Sequence, residues 1–306
     1  MLALAGVMLI SSFLSGVAVK RVLLSRPPRR ALRENFLGRR IPVAGGAVLA
    51  TALLSAELVA LALVALSHSG GWSGPEGLWG GASKVLSAEH VATVLLILGF
   101  IVLGWVDDVY GDSGVKGFGG HLTALRSGVV TTGSVKAFGG AALAFGVAWW
   151  WSRPVQGGRS EPAQLLAVTT DALLVALAAN LLNLLDLRPG RALKVFFLGW
   201  IALAPFAWRT AAWAASAGVA GGAAAWLPAD LRERGMLGDS GAAALGAALG
   251  ALAALSVGPT GKALILVGLA AATVASERWS FTKAIERVAP LRWLDLLGRL
   301  PPPKNR

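Results

Sequence analysis

The chain has 306 residues, of which 55% are hydrophobic and only 14% are charged, and its mean hydropathy is +0.65. This composition excludes an ordinary soluble domain and indicates a polytopic membrane protein. The net charge of +12 does not indicate nucleic-acid binding, because the basic residues lie in short segments between apolar runs, where they set membrane orientation. With no cysteine in the chain, disulfides, thiolate metal sites and thiol catalysis are also excluded.

Continuous apolar runs, at about 20 residues per crossing, predict an all-α bundle of nine to ten transmembrane helices. A β-barrel is excluded because the runs do not alternate with a period of two. We expect one integral membrane domain over residues 1–306, ending in an amphipathic cytoplasmic tail at 277–306. The runs that can be delimited are 2–19, 43–66, 89–106, 137–151, 165–185, 193–208, 210–227, 240–256 and 261–276.

The basic residues predict the orientation of these helices. With nine spans, alternate loops fall on opposite sides, and 23 of the 28 Lys and Arg residues then lie on one side. The side with the excess is expected to be cytoplasmic, so the amino terminus is expected outside a cell membrane. The segments on the basic side are 20–42, 107–136, 186–194, 228–239 and the tail from 277.

Two adjacent carboxylates, Asp107 and Asp108, end the third apolar run. Acids at membrane depth are costly, so they are tolerated mainly where they face water, a metal ion or a cationic partner. Two readings are open: the acids only mark the end of a span, or they belong to a site for a divalent metal and phosphate. Asp112 and Lys116 follow in a loop whose oxygen ligands suit Mg²⁺ or Mn²⁺ bridging substrate phosphates.

The first basic segment contains Arg39 and Arg40, and it closes on Gly45 and Gly46. Guanidinium groups bind polyanions in a bidentate manner, and the glycines allow a ligand or another helix to approach the backbone. The alternative is an ordinary basic loop before a helix that begins with proline.

Three polar residues, Asn180, Asn183 and Asp186, recur at steps of three near the end of the fifth span. At 100° per residue they share one face about 120° wide, which predicts a polar cavity. Hydrogen bonds that join helices are the alternative for the asparagines. Arg188 and Arg191 follow directly.

The eighth span begins with Gly238-Asp239-Ser240-Gly241. An Asp at this place is a good helix cap, and it is also suited to bind a metal. Both readings remain open from the sequence.

Taken together and in this order, the Arg39 to Gly46 segment, Asp107-Asp108 with Asp112, Asn180-x-x-Asn183-x-x-Asp186 and Gly238-Asp-Ser-Gly resemble the polyprenyl-phosphate N-acetylhexosamine-1-phosphate transferases of the MraY and WecA type. The motifs cover nearly the whole chain. The resemblance implies transfer of a sugar-1-phosphate from a UDP-sugar to a polyprenyl phosphate, usually undecaprenyl phosphate, with release of UMP. It also implies a requirement for Mg²⁺ or Mn²⁺ and a role in synthesis of cell-envelope glycans.

The resemblance also implies roles for individual residues. Asp107 and Asp108 would activate the lipid phosphate or help to hold the metal, and Asp239 would bind the metal. Asn183 and Asp186, with Asn180, would form the nucleotide-sugar pocket. The basic residues expected to contact substrate are Arg39, Arg40, Lys116, Arg188, Arg191 and Arg292.

The chain departs from the family in the loop after the ninth span, where the family has histidines and this chain has Arg292-Trp293-Leu294. We therefore expect a plain UDP-N-acetylhexosamine as donor, rather than a muramoyl-peptide nucleotide. Apolar residues at helical spacing over 284–299 predict a helix lying on the inner leaflet. An intramembrane prenyltransferase and a non-catalytic polyprenyl-phosphate carrier are the alternative functions, and homodimerisation is left open.

Overall fold

The computed structural model describes residues 1–68, 83–111, 126–152 and 160–300. Within these ranges the chain forms eleven helices. The nine long ones are α1 (Leu2–Ser25), α2 (Gly45–His68), α3 (Ala88–Tyr110), α4 (Thr132–Ser152), α5 (Glu161–Leu185), α6 (Arg191–Ala207), α7 (Ala211–Leu231), α8 (Gly238–Ser256) and α9 (Pro259–Arg278). Two short helices, α10 (Phe281–Arg287) and α11 (Ala289–Leu296), follow.

Six of the described helices are long and apolar enough to cross a membrane. They are α1, α2, α3, α5, α8 and α9. The all-α membrane bundle expected from composition is therefore supported, and the protein is a multi-pass membrane protein. The other three predicted spans coincide with α4, α6 and α7, and the predicted break at Trp208-Arg209 falls between the last two. The number of crossings and the orientation remain predictions.

A small hairpin interrupts the helical pattern between α1 and α2. Strands β1 (Leu32–Glu34) and β2 (Arg40–Pro42) pair antiparallel, with Arg33 opposite Ile41. The side chain of Asn35 closes the turn, because its Oδ1 accepts the amides of Leu37 and Arg39 at 2.9 Å each. A sequence-based expectation of helices alone misses this hairpin, since three-residue strands carry no readable alternation.

Helix α8 lies at the centre of the bundle and packs against α2, α3, α5, α6 and α7. Its sequence is almost entirely Gly, Ala and Leu, and nearly all of its residues are buried. Small residues let the helix backbones approach closely, as they do in other membrane bundles. A side chain on Gly246 or Gly250 would collide with the α5 backbone at Ala178 or Val175. The tight α5–α8 contact follows from this composition.

Helix α3 extends beyond the end of the apolar run from which it was predicted. The predicted span stops at residue 106, but the helix runs to Tyr110, so Asp107 and Asp108 lie in its last turn. Helix geometry then fixes the directions of both carboxylates. The predicted boundary at residue 106 falls four residues short of the helix end, because the Gly111 amide still donates to the Asp107 carbonyl and closes a helical turn.

Candidate functional site

Residues from four parts of the chain meet at one end of the bundle. They are the end of α3, the start of α4, the end of α5 and the start of α8. The hairpin joins them, since the amide of Met236 donates to the Pro42 carbonyl at 2.8 Å. The structure thus brings together motifs that are more than 100 residues apart in sequence.

A lysine lies between two of the predicted carboxylates. Lys136 Nζ is 2.9 Å from Asp107 Oδ2, and it also donates to Asp239 Oδ2. Asn183 completes the group: with its amide turned to suit both neighbours, it donates to Asp239 Oδ1 at 3.1 Å and accepts from Lys136 Nζ at 3.1 Å. This amide orientation follows from the hydrogen-bond partners. The ammonium group offsets the negative charge of the two part-buried carboxylates.

The second acid of the pair, Asp108, caps a different helix. Its Oδ1 accepts the amide of Asp239 at 2.9 Å, and its Oδ2 accepts the amide and the hydroxyl of Ser240 at 3.0 and 2.7 Å. The first amides of a helix lack partners within the helix and carry partial positive charge. The carboxylate of α3 therefore satisfies the amino terminus of α8. Of the two roles left open for Asp239, the helix cap is thus taken by Asp108.

Glycines allow α2, α3 and α8 to come together at Ser240. A side chain on Gly46 would collide with Ser240, and one on Gly104 would collide with its backbone. Gly238 has φ +77°, a left-handed conformation that disfavours other residues. The structure therefore assigns the close approach at Gly46 to a neighbouring helix, which was one of the two roles expected for that glycine.

Two further carboxylates, those of Asp186 and Asp230, bind backbone amides of the loops next to the Lys136 group. Asp186 Oδ2 accepts the Gly238 amide at 3.1 Å. Asp230 accepts the Leu237 amide at 3.1 Å and also the amide of Gly190. Burial, followed by the nearby charges of Asp230 and Asp239, raises the pKa of Asp186 well above its ordinary value. The loop after α5 and the loop before α8 are therefore tied to each other through acids.

A cavity of about 470 Å³ opens over these groups. Asp108, Asp186 and Asp239 line it, together with Arg33 and Arg188. Arg33 also donates to the Val109 carbonyl at 2.9 Å, which holds the hairpin against the end of α3. A space lined by both carboxylates and guanidinium groups suits a metal-bound polyanion.

Aromatic and charged side chains shape the rim of this cavity. Phe36, in the hairpin turn, lines it together with Glu233. The guanidinium carbon of Arg188 lies 4.6 Å from the centroid of the Phe36 ring, a cation–π distance. The Arg188 side chain is thus held at the cavity by the hairpin.

The structure does not bring every predicted residue into this cavity. Asn180 is exposed and does not line it. Arg39 and Arg40 are exposed as well, 3.7 Å from Glu233 and Glu34 respectively. Lys116, with Asp112 and His121, lies outside the described residues.

Two other predicted substrate contacts point elsewhere. The guanidinium group of Arg191 is buried against Asp295, with Nε 2.7 Å from Oδ1. Arg292 is exposed on α11 and does not line the cavity. The partners of Arg191 therefore favour a role in holding the carboxy-terminal segment over contact with a ligand in this cavity.

The acids of this site offer a small set of ligands for a divalent metal. No three acidic or histidine side chains within the described residues are grouped to hold an ion. Mg²⁺ commonly binds one or two carboxylates and completes its shell with water and substrate phosphate. Asp107 and Asp239 would supply two such carboxylates, since contacts with the same Lys136 ammonium bring them together. Asp108, the predicted partner of Asp239, accepts hydrogen bonds from the start of α8 with both of its oxygens. Asp239 likewise accepts hydrogen bonds with both of its own, from Asn183 and Lys136.

Sequence reasoning missed Lys136, Asp230 and Phe36. Lys136 was counted only as a charge that sets topology, although a cation in the otherwise apolar helix α4 is itself unusual. Asp230 gave a similar signal near the end of α7. No pattern marked Phe36, whose position depends on the hairpin.

Comparison with protein-family models gives no match, and comparison with curated protein sequences gives none. The fold and the site define a multi-pass helical membrane protein with an acidic, lysine-bridged centre at one end of its bundle.

Proposed function

We propose that this protein transfers a sugar-1-phosphate from a UDP-sugar to a polyprenyl phosphate, at the cytoplasmic face of the cell membrane. One observation carries the proposal: Asp107, Asp239 and Asn183 converge on Lys136 beside a cavity that also presents Arg33 and Arg188. Phosphoryl transfer requires mainly positioning and neutralisation of charge. Carboxylates with a divalent ion and nearby cations are suited to that task.

The proposed reaction is a single substitution at phosphorus. An oxygen of the lipid phosphate forms a bond to the β-phosphorus of the UDP-sugar. The bond from that phosphorus to the bridging oxygen breaks, and UMP leaves with the electron pair. The products are a polyprenyl-diphosphate sugar and UMP, and no oxidant or further reactant is needed.

Each group of the site has a part in this exchange. Asp107 and Asp239 would hold Mg²⁺, which supplies charge neutralisation for the phosphates when bound. Lys136 limits repulsion between the two carboxylates and orients them. Arg33 and Arg188 face the cavity, where a diphosphate would lie. Asp108 and Asp186 act through position, since both hold the start of α8.

A second candidate is a polyprenyl-phosphate binding protein without turnover. Lys136 favours it, because an internal cation already engages both Asp107 and Asp239. An intramembrane prenyltransferase is the weaker rival, since a diphosphate leaving group would need only the acids and would not explain Asn183.

Product analysis tests the proposal. Purified protein is incubated with undecaprenyl phosphate, Mg²⁺ and each of several UDP-sugars, and lipids are analysed by mass spectrometry. We expect a lipid-linked N-acetylhexosamine diphosphate, formed faster from UDP-GlcNAc or UDP-GalNAc than from UDP-MurNAc-pentapeptide. A faster reaction with the muramoyl-peptide donor would overturn the donor assignment. Bound lipid with no new product would favour the binding protein.

A further inference from the structure

The carboxy-terminal helix α11 turns a charged residue towards the protein. Among residues 281–300, all of which are described, only Asp295 is buried. Its carboxylate accepts two hydrogen bonds from Arg191, at 2.7 and 3.2 Å, and a third from Arg299 at 2.8 Å. Lys194 donates to the backbone carbonyl of Asp295 at 2.7 Å. The inner side of this segment is therefore held by charges and hydrogen bonds.

The same segment exposes large apolar side chains. Trp293 is 66% exposed, and large aliphatic side chains around it are about half exposed. These are Val288, Leu291, Leu296 and Leu297. A helix on the water-facing surface of a protein normally shows the opposite arrangement, with its apolar stripe inward. Contiguous exposed apolar side chains of this kind mark an interaction surface.

The surroundings of this face indicate what covers it. Helix α9, one of the six apolar candidates, ends at Arg278, and α10 begins only three residues later. Exposed Lys283 and Arg287 lie on α10 beside the apolar face, with Glu286 as an acid between them. The segment thus starts where a candidate membrane helix ends. Its exposed side chains are apolar or charged, and the charged ones are more often basic than acidic.

We infer that residues 288–297 dock on the anionic phospholipid surface at this end of the bundle. The Arg191–Asp295 contact fixes the rotation of α11 so that Trp293, on the opposite side of the helix from Asp295, faces the lipid. The same rotation leaves Leu291 and Leu296 about half exposed. Interfacial helices insert their apolar face at the headgroup boundary and gain from attraction between basic side chains and anionic lipids. The inference extends the proposed function and does not depend on transferase activity.

The chain suits a direct test because it contains no cysteine. A fluorophore is attached to Leu291→Cys in the full-length protein, reconstituted in bilayers with or without phosphatidylglycerol. Quenching by nitroxide-labelled lipid is compared with quenching by aqueous iodide. Arg232→Cys, in the exposed loop between α7 and α8, is the matched control. We expect lipid quenching and iodide protection at Leu291→Cys only, strongest in the anionic bilayer.

Charge removal gives the second measurement. Lys283→Gln and Arg287→Gln are each expected to lower the ratio of docked to undocked probe about fivefold in the anionic bilayer, whereas Arg232→Gln should leave it unchanged. Equal iodide access at Leu291→Cys and Arg232→Cys in both bilayers would overturn the inference. Protection from both quenchers would also overturn it, since a second protein chain would then cover this face.

Discussion

Ser240 donates its hydroxyl to Asp108 at 2.7 Å and its amide to the same oxygen at 3.0 Å. This contact joins the end of α3 to the start of α8, and it gives Asp108 a structural role as well as a place in the cavity. Asp239, one residue earlier, instead faces Lys136. Asp108 and Asp239 are therefore held by different partners, and we expect their substitution to have different effects on stability.

We predict that Asp108→Asn lowers stability by about 1–3 kcal/mol, because an amide cannot accept from both backbone amides and the hydroxyl without an unpaired group. Turnover should also fall at least about 100-fold, because the start of α8 would no longer hold Asp239 in position. Ser240→Ala should cost less stability and should keep most activity. Thermal unfolding and UMP release measured on both variants would test this, and equal stability of Asp108→Asn and wild type would contradict the capping role.

Removal of the lysine should expose the pair of carboxylates to added metal. Lys136→Met leaves Asp107 and Asp239 without their shared cation, so the two part-buried carboxylates repel each other and stability falls. We predict that Mg²⁺ raises the melting temperature of this variant more than that of the wild type. In the double variant Lys136→Met/Asp239→Asn the extra shift should disappear. The same Mg²⁺ response in all three proteins would show that these acids do not form a cation site.

The stability contributed by the contact between Arg191 and Asp295 should depend on pH only at acidic pH. Burial disfavours the charged carboxylate, but hydrogen bonds and charge from Arg191 and the charge of Arg299 outweigh it and lower the pKa of Asp295. A lowered carboxyl pKa adds stability that is complete above the unfolded-state value of about 3.9. This stability is lost as pH falls through the lower folded-state value.

Asp295→Asn should therefore reduce the melting temperature by a constant amount from pH 7 to about pH 4. The difference from wild type should shrink below that range. A difference that instead vanished near neutral pH would contradict the assignment. Glu286→Gln, on the exposed side of α10, serves as the control for removal of a carboxylate.

Cysteine labelling tests the predicted orientation. Leu187 is 60% exposed next to the site, and Leu86 is 59% exposed before α3, at the opposite end of the bundle. We predict that an impermeant reagent added to intact cells labels Leu86→Cys, and that Leu187→Cys reacts only after the membrane is opened. Labelling of Leu187→Cys in intact cells would place the site outside and would refute the cytoplasmic assignment.

Local patterns in the sequence could predict only part of this site. The three-residue spacing of Asn183 and Asp186 puts both on one helical face, and both lie at the centre of the site. The pairing of Lys136 with Asp107 depends on how α3 packs on α4, which no local pattern records. Arg191 was assigned to substrate because its partner, Asp295, lies 104 residues away. The sequence therefore could not predict the positions of charged residues whose partners lie far away in the chain.

The central claim, transfer of sugar-1-phosphate at Asp107 and Asp239, is tested most directly by the rate of UMP release. Wild type, Asp107→Asn and Asp239→Asn are assayed with undecaprenyl phosphate, a UDP-N-acetylhexosamine and Mg²⁺. Glu161→Gln, at the far end of α5, is the control for charge removal. We predict lipid-dependent UMP release by wild type and control, and a decrease of at least about 100-fold in both Asp variants. UMP release that persists in both variants, or that is absent from the folded, lipid-binding wild type with every donor, would contradict the claim.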